Sequence, residues 1–166
     1  MRRGLTQVLG LTMPEPRNIQ IFQELTARLL ERLYGTFPNP ILLDSMDIGQ
    51  LVAGHMESDE AEQWRILHED SANTMEFLAR EGFVVFRPDR RTLDQHMGIF
   101  PEAALTLKGF TLLGATPDAV NEALERRPIA QQLSEALDAG AKETVSNLVK
   151  KLFYGAMTAG AQALVR

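Results

Sequence analysis

The chain has 166 residues, 45% of them hydrophobic, and a formal net charge of −5, so it can bury one sizeable core and is not a disordered chain. It has no cysteine, which excludes disulfides and zinc fingers, and no apolar run reaches the roughly 18 residues of a membrane span. We therefore expect a cytoplasmic protein without membrane attachment. The acidity is local, because residues 57–81 hold eight acids against Arg65 and Arg80.

The first part of the chain is predicted to form two helices separated by one short strand. Apolar residues recur at helical spacing over residues 18–35, and Asn18 is the predicted cap of this helix. Two prolines then forbid a helix, and residues 41–43 are expected to form a short strand. A second, shorter helix is predicted over residues 44–54.

A longer helix is predicted between Ser58, which caps it, and Gly82, which ends it. We expect an interruption near Asp70 and Ser71, because such side chains compete with backbone hydrogen bonds. Trp64, the only tryptophan, continues the apolar pattern of this helix. It is therefore expected to anchor the core or a contact between subunits.

A hairpin and a further helix are predicted next. FVVF at 83–86 and IFPEAAL at 99–105 read as strands joined by an exposed connection. Thr106 is predicted to end the second strand and to cap a new helix, which leaves Lys108 on the solvent side. Gly109 fits a place where that helix approaches the hairpin closely.

The remainder of the chain reads as helical, with helix starts at Thr116 and Pro128 and a last helix after Gly140. The last helix carries a heptad seam of apolar and small residues, formed by Val145, Val149, Leu152, Ala156, Ala159 and Ala163. This seam either packs across the first helix of its own chain or pairs with the same helix of a second subunit. A membrane surface is the weakest of the alternatives, because the basic face is small.

The stretches TMEFLAREGFVVF and ALTLKGFTLL, with Arg90 and Arg91 between them, resemble the last helix, the wing and the following helix of winged helix-turn-helix transcriptional regulators. The resemblance covers about residues 17–114, and the Leu-Thr-x-Lys-Gly junction at 105–109 carries it. It implies a mainly helical α+β fold, a winged helix-turn-helix with a two-stranded wing and additional C-terminal helices.

The resemblance also implies a division of the chain into three parts. These are a flexible leader at 1–16, a winged-helix domain at 17–114 and a helical C-terminal region at 115–166. Many winged-helix regulators use flanking helices for dimerisation, so we expect a homodimer.

Two functions follow from the resemblance. A regulatory protein would bind duplex DNA or a nucleoprotein, with base or sugar contacts from Ser71, Asn73 and Thr74 and phosphate contacts from Arg87, Arg90 and Arg91. The acidic residues of the helix before the wing argue against this function, because their negative charges repel the phosphates of DNA. The alternative is a protein-interaction adaptor that binds a basic protein partner and no DNA. Its candidate contacts are Glu60, Glu62 and Trp64, with Val145, Val149, Leu152, Ala156 and Ala159 as candidate contacts in the last helix.

Catalytic motifs are not spelled out, since the chain has no GxSxG, no GxGxxG and no P-loop. We therefore expect no enzymatic activity, no cofactor and no metal. His55 with Glu57 and Asp59 offers a remote option of an oxygen-rich metal site, although a helix-capping turn is the simpler interpretation.

Overall fold

The computed structural model describes residues 13–114 and 127–164, and side chains up to residue 160. Over these residues the chain forms six helices and a small three-stranded antiparallel sheet. The predicted mainly helical α+β class is thereby confirmed. The predicted helix start at Thr116, the first twelve residues of the predicted leader and the Ala163 side chain lie outside the described parts. Within those parts, no helix has the length and apolar character needed to cross a bilayer.

Along the chain, helices both precede and follow a short hairpin. They are α1 (Arg17–Thr36), β1 (Ile41–Asp44), α2 (Ser45–His55), α3 (60–80), β2 (Val84–Val85), β3 (Ile99–Leu105), α4 (Leu107–Gly114), α5 (Ile129–Asp138) and α6 (Lys142–Leu164). Helix α3 is continuous and has three parts, an α-helix at Glu60–Arg65, a π-helical turn at Ile66–Asp70 and an α-helix at Ser71–Arg80. The predicted interruption is therefore a π-helical turn.

Two predicted helix caps are wrong. Helix α1 begins one residue before Asn18, and Pro16 precedes it without a side-chain hydrogen bond. Helix α3 is capped by Asp59 rather than Ser58, since the Asp59 carboxylate accepts a hydrogen bond from the backbone N–H of Glu62 at 2.8 Å. A cap must stand just outside the first helical turn, so a boundary shift of one residue transfers the role to a neighbour.

Helix α2 packs closely against the π-helical turn of α3. A Cβ atom added to Gly49 would lie 2.9 Å from the carbonyl oxygen of Ile66 and 3.0 Å from the Cα of Leu67. Ser45 and Ser71 are buried in the same contact. The Ser71 hydroxyl donates to the Leu67 carbonyl at 2.8 Å and lies 3.3 Å from the Ser45 hydroxyl. Small side chains thus allow the two backbones to approach.

The sheet has β3 at its centre, between β1 and β2. Strand β3 pairs with β1 through Ile41 and Ala103 and through Leu43 and Phe100, so β3 has one more residue than β1 between these pairs. Glu102 lies in this interval with a φ of +50°. The extra residue is a β-bulge, which bends the central strand.

Thr106 ends β3 and caps α4, as the sequence predicts. Its Oγ1 accepts a hydrogen bond from the backbone N–H of Gly109 at 3.1 Å and donates to the Gly82 carbonyl at 2.6 Å. A Cβ atom on Gly109 would lie only 2.2 Å from the carbonyl oxygen of Phe83. The close approach of α4 to the hairpin is therefore confirmed, and Lys108 lies on the exposed side.

One hydrophobic core extends from α1 through the sheet and α4 to α5 and α6. The first half of α6 packs on α1 and α5, where its side chains Val145, Val149 and Leu152 are buried. This is the packing within one chain that the heptad seam predicts as one of its alternatives. Further along the helix, Ala156 is half-buried and Ala159 is exposed.

Candidate functional site

The exposed side of the first turns of α3 presents three residues spaced four apart, Glu60, Trp64 and His68, which we call the Trp64 ridge. Trp64 is 57% exposed, and its ring centroid lies 4.9 Å from that of His68 at an interplanar angle of 38°. The prediction that Trp64 enters the core is therefore wrong. Ile66 enters the core in its place, at the start of the π-helical turn.

The surroundings of the Trp64 ridge are negatively charged. Arg65 is the neighbouring cation, and its guanidinium pairs with Asp70 at 3.2 Å and with Glu62 at 3.7 Å. Its charge is therefore compensated within the helix. The exposed carboxylates along this part of α3 and the turn before it belong to Glu57, Asp59, Glu60 and Glu69.

Glu62 joins two helices and is not a free surface carboxylate. Its Oε1 accepts hydrogen bonds from two guanidinium nitrogens of Arg17, at 2.7 and 3.1 Å. Arg17 also donates to the carbonyl of Met56 at 2.5 Å. The hydrogen bond from Arg17 lowers the pKa of Glu62 below its ordinary value. Of the two glutamates predicted to meet a basic partner, Glu60 remains accessible and Glu62 holds α3 to the start of α1.

Two of the three candidate base or sugar contacts in α3 are buried. Ser71 is 0% exposed and lies in the contact with α2, and Thr74 is 4% exposed. The Thr74 hydroxyl donates to the carbonyl of Asp70 at 2.7 Å. Neither side chain can reach a nucleic acid in this fold, which corrects that part of the prediction. Asn73 is exposed.

The candidate phosphate contacts lie in the hairpin connection, residues 86–98, and two of the three are engaged there. Arg87 binds the carboxylate of Asp89 through two nitrogens, at 3.0 and 3.1 Å, and this carboxylate raises the pKa of Arg87. Arg91 is half-buried, and its Nε donates to the carbonyl of Ile99 at 2.9 Å. Arg90 is exposed and has no carboxylate within 4.0 Å among the described residues.

The candidate subunit contacts of α6 divide into two groups. Val145, Val149 and Leu152 are buried within the chain, so they present no surface to a second subunit. Ala156 and Ala159 line a groove of about 450 Å³ between α6 and α4. Leu107 is an exposed large apolar side chain in the lining of this groove.

The geometry of residues 13–114 and 127–160 bears on the predicted absence of a metal and on the remote option at His55. Within these ranges no three histidine or carboxylate side chains are grouped so as to hold a metal ion. His55 faces α1, where its Nε2 lies 3.9 Å from a carboxylate oxygen of the buried Glu24. The remote option of a site at His55, Glu57 and Asp59 receives no support from this arrangement.

Comparisons of the chain with protein-family models, curated proteins and solved structures yield no match. The likeness to winged-helix regulators therefore depends on the sequence and topology of this chain alone.

Proposed function

We propose that the protein is a non-enzymatic winged-helix adaptor that binds a basic protein partner through the Trp64 ridge. The order of elements from α1 to α4 and the strand order β1-β3-β2 support the winged-helix assignment. In this assignment α2 and α3 form the helix-turn-helix, and β2, β3 and the hairpin connection form the wing. The helices α5 and α6 are the additional C-terminal helices.

The exposure of Trp64 is the observation that carries the proposal. A large exposed aromatic side chain can contribute strongly to binding a partner. Its burial removes apolar area from water at a small cost in side-chain entropy. Trp64 stands among exposed carboxylates, and such a field accelerates association with a positively charged partner. An aromatic anchor within a negative rim thus fits a basic protein surface.

Duplex DNA is the less favoured partner. Phosphate neutralisation supplies most of the non-specific affinity for DNA, and the exposed beginning of α3 has the wrong sign of charge for it. Among the described residues, the hairpin connection contributes one exposed guanidinium without a carboxylate partner, that of Arg90, because Arg87 is paired with Asp89 and Arg91 is half-buried. A single phosphate contact gives little affinity at physiological salt.

A matched pair of charge reversals on α3 tests the adaptor function. Glu60→Lys reverses a charge on the Trp64 ridge, and Glu76→Lys makes the same change at an exposed position of the same helix twelve residues after Trp64. A partner is captured on the immobilised wild-type chain and identified, and its affinity is measured with purified proteins by calorimetry. We expect Glu60→Lys and Trp64→Ala to weaken binding at least about tenfold, and Glu76→Lys to leave it unchanged.

Equal affinities for the three variants and the wild type would contradict the adaptor function. The competing function is tested in parallel with a mixed-sequence duplex at low salt. Binding that is lost in Arg90→Ala and retained in Trp64→Ala would favour DNA. Arg91 is a poor choice for this test, because it holds the hairpin connection to β3.

The homodimer stays a prediction. Of the α6 residues predicted to form it, Ala156 and Ala159 remain accessible, in the groove between α4 and α6. Leu107 borders this groove and is 77% exposed. We expect light scattering after gel filtration to give the mass of a dimer, and Leu107→Glu to shift it to that of a monomer. Leu93→Glu is the control, since Leu93 is an exposed leucine in the hairpin connection. A monomeric wild-type chain would refute the prediction.

A further inference from the structure

A cleft of about 410 Å³ lies between the first half of α1 and the later part of α3, apart from the side of α3 that carries Trp64. This volume is within the range of small-molecule sites in proteins. Its floor is apolar: Ile21 and Leu25 are buried, and Phe22 and Phe77 are half-buried. The two phenyl rings meet edge to face with centroids 5.3 Å apart.

Two stripes of residues line this cleft, one on each helix, and in each stripe an asparagine precedes a phenylalanine. On α1, Asn18 precedes Phe22, and on α3, Asn73 precedes Phe77. Each pair is four residues apart, so the two members lie on one face of their helix. Each stripe therefore leads from an exposed amide at the rim to a phenyl ring at the floor.

The charged residues of the lining are two arginines and one aspartate, which leaves one positive charge in excess. Arg65 is paired with Asp70, at 3.2 Å. The guanidinium of Arg80 lies 5.8 Å from the centre of the Phe77 ring, and among the described residues no carboxylate is within 4.0 Å of it. Arg80 is thus a cation held at the edge of an apolar floor with its charge uncompensated.

The π-helical turn lies along the cleft, because Arg65 precedes the turn, Asp70 ends it, and both residues line the cleft. Asp70 is the last residue of this turn, and the stripe from Asn73 to Arg80 lies in the α-helix that follows. π-Helical turns inside α-helices are frequent at functional sites. The turn brings Arg65 within 3.2 Å of Asp70, five residues later in the chain. Arg80 lines the cleft further along the same helix.

We propose that this cleft binds a small organic monoanion, a carboxylate with an apolar body. The carboxylate pairs with the Arg80 guanidinium, which lies beside the Phe77 ring. The apolar body covers Phe22 and Phe77. One negative charge matches the excess of one positive charge, and the apolar floor selects against small hydrophilic anions. The site and its ligand do not depend on the adaptor function.

Calorimetry with the full chain tests the site with octanoate as the probe. We expect saturable binding of one octanoate per chain. Octanamide, which has the same tail and no charge, should bind about tenfold more weakly or worse. Butanoate keeps the charge and loses four methylene groups, so it should also bind at least about tenfold more weakly. Equal affinities for octanoate and octanamide would overturn the carboxylate assignment.

Two matched arginine variants locate the binding. Arg80→Gln removes the charge at the cleft, and Arg90→Gln makes the same change at an exposed position in the hairpin connection. We expect about a tenfold loss of octanoate affinity in Arg80→Gln and none in Arg90→Gln. Trp64→Ala should bind octanoate as the wild type does, so failure of this site and failure of the adaptor function are separable. An unchanged affinity in Arg80→Gln, or no saturable binding at millimolar octanoate, would overturn the proposal.

Discussion

Helix α3 has two contrasting sides, the side of the π-helical turn that packs against α2 and the exposed Trp64 ridge. At the turn the residues in contact are small, and the fit leaves no room for a Cβ atom on Gly49. On the ridge the bulkiest side chain of the chain stands in water. Burial along this helix therefore does not follow hydrophobicity alone, because the contact with α2 admits small side chains and leaves Trp64 exposed.

Ile66→Ala should produce the largest loss of stability in this helix. Ile66 is fully buried at the start of the π-helical turn, and removal of such a side chain leaves a cavity. We expect the free energy of unfolding to fall by about 2–5 kcal/mol, measured by urea denaturation followed by circular dichroism. A loss below about 1 kcal/mol would mean that the turn is loosely packed.

Gly49→Ala tests the contact between α2 and the π-helical turn by a change in α2. The added methyl group would meet the Ile66 carbonyl oxygen at 2.9 Å, so the two helices must separate. We expect a loss of about 1–3 kcal/mol in the free energy of unfolding. Gly54→Ala is the matched control, because nothing lies within 4 Å of a Cβ atom there. Alanine in a helix is intrinsically preferred to glycine, so this control should be neutral or stabilising.

Glu62→Gln tests the ion pair that holds the ridge region to α1, and its effect should depend on pH. The pKa of Glu62 is lowered in the folded chain by Arg17, so the pair stabilises the fold above the ordinary value of 4.5. That stabilisation is lost as the pH falls through the lowered pKa. At neutral pH we expect Glu62→Gln to cost about 0.5–1 kcal/mol, since Arg17 is partly exposed.

The difference between wild type and Glu62→Gln should vanish in acid. Unfolding curves recorded at neutral pH and below the lowered pKa measure this. Glu69→Gln is the control, since Glu69 is exposed and forms no ion pair among the described residues. A difference that persists at low pH would contradict the assignment of the effect to the Arg17 pair.

Trp64→Ala should give the smallest change in stability. Its side chain is mostly in water, so we expect the free energy of unfolding to change by no more than about 0.5 kcal/mol. Circular dichroism is the suitable probe, because the variant has no tryptophan. A loss as large as that of Ile66→Ala would mean that Trp64 has a structural role, and the comparison between the two regions would fail.

The elements with local signals were predictable from the sequence. The signals for the hairpin, the Thr106 cap and the close approach at Gly109 each lie in short stretches of the sequence, and all three features are confirmed. The sides of α3 were not predictable in the same way. A π-helical turn contains more residues than an α-helical one, so a pattern read with a constant period assigns Trp64, Ser71 and Thr74 to the wrong sides.

A signal for the α2 contact was nevertheless present in the sequence. Ser45, Gly49 and Ala53 are spaced four apart, which predicts a stripe of small residues along one side of a helix. Its partner lies in a different helix, and no local pattern identifies that partner. The cleft between α1 and α3 was missed for a related reason, because its lining comes from two helices and the sequence does not show that Asn18, Asn73 and Arg80 line one cleft.

The Thr106 hydroxyl has a mechanical consequence for the molecule. It bonds the end of the turn after α3 at Gly82 and the first turn of α4 at Gly109. Together with the bond from the Thr106 N–H to the Phe83 carbonyl at 3.0 Å, it couples the position of α4 to that of the hairpin. The exchange rate of the Gly109 amide hydrogen should therefore change when a partner binds the hairpin connection.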